Sequence, residues 1–183
     1  CQHVSMGCCT NLADFCETVG IAPLLQTVRT LYFQDEKGRV STMRAAPLPA
    51  PLHLFPSFLS AKYLTLQDKI RIGWGMLSLM WSPPRLNVPF DEWLLSHGQT
   101  PRTIDRFWGL VLVSALNETI DRMDFRYARQ VFVEGFLQNG RAFYVEIPSV
   151  PLGQFYGSLL ESWLVDNGII LKMGTAVSKL IFD

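Results

Sequence analysis

Apolar residues recur at helical spacing over most of the chain, and this pattern predicts a mainly helical fold. One helix opens at Thr65, which stands three residues before Asp68, as in a capping box. Another begins at Thr100-Pro101, an N-cap followed by proline in the first turn. The predicted helices cover about residues 10–19, 65–80, 91–96, 100–117, 124–137 and 152–164, with glycine stops at Gly20, Gly98 and Gly168.

The strand signals are shorter and fewer. Residues 28–44 read as two strand-like stretches joined by the turn at residues 35–38, which predicts a β-hairpin. Residues 141–146 predict a further strand, and residues 169–171 and 177–182 predict two more. A sheet needs more strands than the final pair to be stable, so we expect strands from elsewhere to complete it. Since the chain also lacks an initiator methionine, we expect it to be part of a larger protein.

A proline-rich segment, AAPLPAPLHLFPSFL, occupies residues 45–59. Its prolines exclude a regular helix or a central strand from the first half. Two interpretations stay open: a rigid connector that packs leucines into the core, or one wall of an apolar ligand channel. His53 lies in this segment, where a single histidine is more often structural than catalytic.

The composition narrows the classes of function. Acidic and basic residues balance at 16 each, whereas a nucleic-acid-binding face normally requires an excess of positive charge. Hydrophobic residues make up 49% of the chain and charged residues 17%, below the usual ~25%. This surplus indicates a large core, an apolar channel or a surface covered by a partner. No apolar run reaches the ~18–20 residues that cross a bilayer, and no secretory leader pattern occurs.

No residue pattern identifies an active site by itself. The sequence lacks a nucleophile elbow, a P-loop and a dinucleotide-binding glycine motif. The four cysteines fall within the first 16 residues without a CxxC pair. Their spacing to His3 matches no standard zinc pattern. We therefore predict small buried cysteines in a reduced compartment and no metal site; the catalytic residues stay unknown.

Four stretches match motifs of one superfamily of flavoenzymes. They are QH with MG and NL in residues 2–12, LPAPLH in residues 48–53, FW with ALN in residues 107–117, and a helix–glycine–strand ending in residues 152–177. By these motifs the whole chain resembles the middle of the flavin-dependent amine oxidase and phytoene desaturase superfamily. Within that superfamily it is most similar to the hydroxysqualene dehydroxylases.

The resemblance implies a two-part protein in which FAD carries the redox chemistry. Residues 1–20 would border the FAD domain, residues 21–150 would form the substrate-binding domain, and residues 151–183 would return to the FAD domain. The expected fold class is α+β: a mostly helical substrate domain with a hairpin and short strands, which completes a Rossmann-like sheet. The rest of that FAD domain would come from the same parent chain. Because the FAD fingerprint is missing here, the chain alone would be inactive.

The resemblance also implies roles for individual residues. Gln2 and His3 would lie near the isoalloxazine ring of FAD, and the backbone at Val177 would hydrogen-bond the adenine. The most apolar helices would form a channel for a thirty-carbon substrate. The residues expected on its walls are His53, Trp74, Trp108 and Leu112.

The implied reaction is reductive removal of the hydroxyl group of hydroxysqualene, giving squalene for hopanoid and terpenoid biosynthesis. Carotenoid desaturation and amine oxidation are alternatives within the same superfamily. A non-catalytic lipid-binding or interaction module is the alternative from another class. The expected location is cytoplasmic, and peripheral contact with the inner membrane face stays an open alternative.

Overall fold

The computed structural model describes residues 4–84 and 86–181. These residues divide into two compact units, each with its own apolar core. The predicted divisions at residues 20 and 150, and the roles assigned to the three segments, stay predictions. The larger unit comprises residues 6–9 and 28–145, and the smaller unit comprises residues 4–5, 10–27 and 146–181.

Helices make up most of the regular secondary structure, and the fold is a mixture of helix and strand. The strands are β1 (Ser5–Met6), β2 (Leu25–Val28), β3 (Leu31–Gln34), β4 (Val40–Met43) and β5 (Val145–Pro148). The α-helices are α1 (Thr10–Val19), α2 (Phe55–Ser60), α3 (Leu66–Trp81), α4 (Phe90–Ser96), α5 (Pro101–Thr103), α6 (Leu110–Leu116), α7 (Phe125–Phe132) and α8 (Leu159–Asp166). Three π-helical segments adjoin these helices: Ile104–Gly109, Val133–Leu137 and Gly153–Ser158.

Helix α3 begins with the predicted capping box. Asp68 N donates to Thr65 Oγ1 at 3.2 Å, and Thr65 N donates to the Asp68 carboxylate at 2.9 Å. Arg102 Nε donates to the same carboxylate at 3.0 Å. Burial alone would raise the pKa of Asp68, but these hydrogen bonds outweigh it and hold the pKa below its usual value. The salt bridge between Asp68 and Arg102 therefore links the first turn of α3 to the helix that follows Thr100.

The predicted hairpin is confirmed. Strands β3 and β4 pair antiparallel, with Leu31 opposite Met43 and Gln34 opposite Val40. Gly38 closes the turn with φ at +75°, a conformation that residues with a Cβ rarely adopt. The hairpin thus stands in the larger unit as an independent two-stranded sheet.

The helix after Thr100 departs from regular α geometry. It starts with the predicted cap, since Thr103 N donates to Thr100 Oγ1 at 3.2 Å, and it ends at Asn117 with φ at +53°. Between these ends, Ile104–Gly109 is π-helical. Such π segments are uncommon and often occur at functional sites. This one gives the helix an irregular face that a 3.6-residue period does not predict.

The core of the larger unit is built around buried aromatic rings. Trp108 is fully buried and meets Phe132 edge-on at 4.8 Å between ring centroids and Phe90 at 5.9 Å. Its Nε1 donates to Gln99 Oε1 at 2.9 Å, and Gln99 Nε2 donates to the carbonyl of Arg71 at 2.7 Å. Trp108 therefore anchors the helix after Thr100 in the core of the larger unit.

The smaller unit packs α1 against the π segment before α8. Its buried residues are Cys16, Val19, Ile21 and Phe155. Strands β1, β5 and β2 form a three-stranded sheet in that order, and most of its residues belong to this unit. Thr27 Oγ1 lies 3.0 Å from both carboxylate oxygens of Glu146 across β2 and β5. The helices predicted at residues 10–19 and 152–164 are confirmed here.

Three strand predictions are wrong in whole or in part. The strand expected at residues 141–146 begins only at Val145, because a turn in which Arg141 N donates to Asn139 Oδ1 at 2.9 Å occupies the first residues. Residues 169–181 form no strand at all. A strand needs a neighbouring ladder, and the described residues supply none for this segment.

Candidate functional site

The larger unit contains an apolar cleft of about 370 Å³. Helix α3, the π segments Ile104–Gly109 and Val133–Leu137, strand β4 and residues 51–58 all contribute to its lining. Its walls are mainly side chains of Met, Leu, Ile and Phe, and ligand pockets of this volume commonly take small apolar molecules. The apolar side chains that line the cleft include Leu52 and Phe55 of residues 51–58, Met76 and Leu77 of α3, Phe107 of the first π segment and Leu110 of α6.

Two serines in the lining of the cleft already have protein partners. Ser57 Oγ donates to the carbonyl of Arg44 at 2.7 Å and accepts from Arg44 N at 3.1 Å. Ser41 Oγ accepts from Lys62 N at 2.9 Å. Because these hydroxyls are occupied, the cleft offers an incoming molecule chiefly hydrocarbon surface. The chemistry of the lining therefore favours a ligand without many polar groups.

A second, polar cleft adjoins the first. It measures about 540 Å³ and shares Phe33, Tyr63 and Leu110 with the apolar cleft. Two of its charged residues form a salt bridge, in which Arg39 Nη2 lies 2.7 Å from the Asp35 carboxylate. Burial raises the pKa of Tyr63, so its phenol stays neutral and able to donate a hydrogen bond. Tyr63 is thus the polar group placed where the two clefts meet.

An exposed apolar stripe runs along helix α3. Its residues follow one another at intervals of three or four and therefore share one face of the helix. They are Leu66, Ile70, Trp74, Leu77 and Trp81, all of them exposed and Trp81 to 81%. Leu77 belongs both to this stripe and to the lining of the apolar cleft. The stripe therefore runs directly beside the opening of the cleft.

The structure separates the residues expected on the channel walls from the cleft itself. Trp108 and Leu112 are fully buried in the core. Trp74 lies on the exposed stripe, and His53 is buried with 1% of its surface accessible. None of the four lines the apolar cleft, so their role on a substrate channel stays a prediction. Their neighbours in the same segments form the cleft, because adjacent helical positions differ by 100° in direction.

The residues expected near FAD are not brought together by the described part of the chain. Gln2 and His3 lie outside the described residues. Val177 lies in the segment without strands and is 77% exposed. The cofactor assignments therefore stay predictions.

The proline-rich segment combines features of both interpretations. Residues 45–51 contain no helix or strand, as predicted, and the chain then enters a short 3-10 turn and helix α2. Leu54 is buried in the core, as expected for a connector. Pro51, Leu52 and Phe55 line the apolar cleft, as expected for a wall. The proline-rich segment therefore both packs a leucine into the core and forms part of the lining of the cleft.

His53 is a buried histidine without a polar partner among the described residues. Neither ring nitrogen has a hydrogen bond, and the imidazole lies 5.9 Å from the Phe143 ring, centroid to centroid. Burial lowers the pKa of His53 below its ordinary value. The folded state therefore holds a neutral imidazole.

We expect His53 to make the protein acid-sensitive. The pKa of His53 is about 6.5 in the unfolded chain and lower in the folded chain. The free energy of unfolding is therefore unaffected by this histidine above pH ~6.5 and decreases as the pH drops below that value. Urea unfolding between pH 7 and pH 4.5 measures this slope, at most about 1.4 kcal/mol per pH unit from one group. His53→Phe should flatten the curve in that range. Parallel curves for the two proteins would show that His53 does not titrate in this way.

The cysteines only partly match the prediction of small buried residues. Cys16 is buried as predicted, but Cys9 is exposed and Cys8 is half-buried. Burial, together with neighbouring Cys9, raises the pKa of Cys8 to about 11, so its thiol is protonated at neutral pH. Within residues 4–84 and 86–181, no group of His, Cys, Asp and Glu is arranged to hold a metal ion.

The fold and the cleft define a mixed helix–strand scaffold suited to holding an apolar small molecule. No protein-family model matches the chain. The chain is similar to zeta-carotene desaturases of plants. It is 30% identical to that of Solanum lycopersicum over an alignment of 148 positions, gaps included, which covers 71% of this chain and 25% of the relative. It is 23% identical to that of Arabidopsis thaliana over an alignment of 199 positions, gaps included, which covers 99% of this chain and 35% of the relative.

The similarity supports the resemblance at the level of the superfamily. It is distant, and the chain spans only about a quarter to a third of the length of these relatives. A third relative, the zeta-carotene desaturase of Capsicum annuum, is 30% identical over an alignment of 124 positions, gaps included, which covers 58% of this chain. The chain is thus a distant relative of part of a carotenoid desaturase.

Proposed function

We propose that the chain forms the substrate-binding part of an FAD-dependent oxidoreductase that acts on an isoprenoid. The observation that carries this proposal is the apolar cleft between α3, the π segments and the proline-rich segment. An isoprenoid offers a long hydrocarbon surface and few polar atoms, which matches that lining. The similarity to zeta-carotene desaturases supports the same class of substrate.

We further propose that the FAD site is completed by other parts of the parent protein. Residues 169–181 carry exposed apolar side chains such as Ile170 and Met173 and make no ladder. A segment of this kind is suited to pair with strands of an incomplete sheet. Such pairing would carry Val177 into the FAD domain, where its backbone is proposed to hydrogen-bond the adenine. When bound, FAD would supply or accept the hydride.

For the reaction we propose reductive dehydroxylation of hydroxysqualene to squalene. The C–O bond of the substrate would break, the hydroxyl group would leave as water with one proton, and the carbon would take a hydride from reduced FAD, which would be oxidised in the same step. In this scheme the cleft positions the hydrocarbon chain of the substrate and excludes water from the reacting carbon. The motifs in residues 2–12, 48–53 and 107–117 support this assignment within the superfamily.

The second candidate is desaturation of a carotenoid, and it is favoured by the names of the relatives. The two reactions differ in direction, because desaturation oxidises the substrate whereas dehydroxylation reduces it. Both require the same long apolar site, so the cleft does not distinguish them. Amine oxidation fits less well, since the lining offers no cluster of polar groups for an amine.

The complete parent protein distinguishes these candidates. Its flavin is reduced anaerobically and mixed with hydroxysqualene, and the products are analysed by mass spectrometry. Squalene formed together with reoxidised flavin is the expected result. Product formed only when oxidised protein is mixed with zeta-carotene would replace dehydroxylation by desaturation. A folded parent without flavin would contradict the enzyme proposal and favour a lipid-binding module.

We also propose that the α3 stripe makes peripheral contact with a membrane surface. Among the described residues, no helix has both the length and the apolarity to cross a bilayer. The stripe contains exposed Trp74 and Trp81, residues that favour the boundary between water and lipid. The basic residues of the helix are Lys69 and Arg71, and its single acidic residue is buried. This charge pattern matches a surface of anionic lipid.

Vesicle binding tests the contact. Co-sedimentation with vesicles of mixed zwitterionic and anionic phospholipid should pellet the parent protein, and the double change Trp74→Ser and Trp81→Ser should lower the bound fraction severalfold. Tyr32→Ser is the matched control, because Tyr32 is similarly exposed on the hairpin. Equal binding by the stripe variant and the control would contradict the proposal.

A further inference from the structure

Helix α3 contains two glycines near its middle, and packing explains only one of them. A Cβ at Gly75 would lie 2.8 Å from Gln99 Nε2 and 2.8 Å from Trp108 Cζ2, closer than such atoms approach. A Cβ at Gly73 would meet no atom within 4 Å. Glycine destabilises the interior of a helix relative to alanine. Packing explains why Gly75 is tolerated there, but it does not explain Gly73.

Gly73 lies at the open side of the apolar cleft. It is exposed and lines the cleft with Leu77 of the same helix and with Leu52 and Phe55 of the proline-rich segment. These three neighbours are also about half exposed, so together they form the rim of the opening. The missing side chain at Gly73 leaves a notch in that rim.

The size of the cleft indicates that a long isoprenoid extends beyond it. A methylene group is about as large as a water molecule, whose share of liquid volume is about 30 Å³, so the cleft of about 370 Å³ holds roughly a dozen carbons. An isoprenoid of thirty carbons exceeds that number more than twofold. Its remaining carbons have to lie outside the cleft.

We propose that Gly73 is a specificity-determining residue: a long isoprenoid leaves the cleft through the notch and lies against the α3 backbone there. Glycine is the residue that permits such close approach of a ligand to the backbone. The inference rests on the proposed isoprenoid substrate. It adds the residue that determines which lengths of isoprenoid can bind. A ten-carbon isoprenoid fits inside the cleft and does not reach Gly73.

Equilibrium binding of two tritiated alcohols to the complete parent protein tests the notch. The probes are geranylgeraniol, with twenty carbons, and geraniol, with ten. The variants are Gly73→Ala and Gly73→Leu, with Gly153→Leu as control, because Gly153 is exposed in the smaller unit and a Cβ there also meets nothing within 4 Å. Circular dichroism and the thermal midpoint report whether each variant is folded.

The expected result separates the two probes. Gly73→Leu should lower the affinity for geranylgeraniol about tenfold, because the added side chain would overpack the notch. The affinity for geraniol should change by no more than about twofold. Gly73→Ala should give an intermediate effect with an equal or higher thermal midpoint. Unchanged geranylgeraniol affinity in folded Gly73→Leu would overturn the inference alone. Absence of binding of either alcohol to the unaltered parent would overturn the isoprenoid proposal and the inference with it.

Discussion

Leu112→Asp is expected to unfold the larger unit. Leu112 has 0% of its surface accessible and lies in the main apolar core with Trp108 and Phe132. A carboxylate at this position would have to be buried without a partner or protonated, and either state costs about 4 kcal/mol or more. That loss is a large fraction of the 5–15 kcal/mol that stabilises a typical domain. Far-UV circular dichroism and urea unfolding measure the effect.

Val113→Asp is the matched control for this change. Val113 is the next residue of helix α6 and is 45% exposed. The same carboxylate would therefore stay in water, with an expected cost of about 0.5 kcal/mol. Similar unfolding curves for the two variants would contradict the orientation of α6 in the core.

Gly75→Ala should be the second most damaging change, although it adds only one methyl group. The new Cβ would overlap Gln99 and Trp108, whose side chains are joined by the hydrogen bond from Trp108 Nε1. Relieving the overlap requires one of these buried groups to move, at an expected cost of about 1–3 kcal/mol. Breaking the hydrogen bond would add the cost of an unsatisfied buried group.

Gly73→Ala gives this prediction its control within the same helix. Because no atom lies within 4 Å of the added Cβ, the change should stabilise α3 by about 0.5–1 kcal/mol. The two variants should therefore shift the thermal midpoint in opposite directions. A midpoint shift of equal sign and size in both would mean that helix propensity, rather than packing against Trp108, decides the outcome.

Local chemistry in the sequence predicted the element boundaries well. The capping pairs at Thr65 and Thr100, the turn ending at Gly38 and the left-handed stop at Gly20 act within a few residues. Their partners are near in sequence, so no tertiary information is needed to find them. The helices and the hairpin follow from these signals.

The sequence did not predict in the same way which face of each helix lines the apolar cleft. The sequence identified the helices around Trp74 and Trp108 as unusually apolar. The resemblance implied that those tryptophans lie on a channel, which stays a prediction. In the fold, Trp108 is core and Trp74 is exposed, while Met76 and Phe107 line the cleft. Which face meets the cleft depends on contacts with the hairpin and α7, and the π segment at Ile104–Gly109 turns the face further. Spacing at three or four residues from Gly73 is the signal that could have indicated the lining.

The strand predictions show the limit set by missing neighbours. Ile169 and Ile170 have the composition of a buried strand, yet they are exposed and outside any sheet. Composition reports a tendency to pair, whereas a strand forms only when a partner supplies the hydrogen bonds. Their exposure is what the proposed FAD-domain sheet would cover.

The most direct test of the account is to locate where an isoprenoid binds. The complete parent protein is irradiated with geranylgeraniol that carries a diazirine near the middle of its chain, and labelled peptides are mapped by mass spectrometry. The account predicts labelling of cleft residues such as Met76, Leu77 and Phe107, with competition by unlabelled geranylgeraniol. Labelling confined to residues outside the cleft, such as Trp81 or residues 169–181, would contradict the assignment of the cleft as the substrate site.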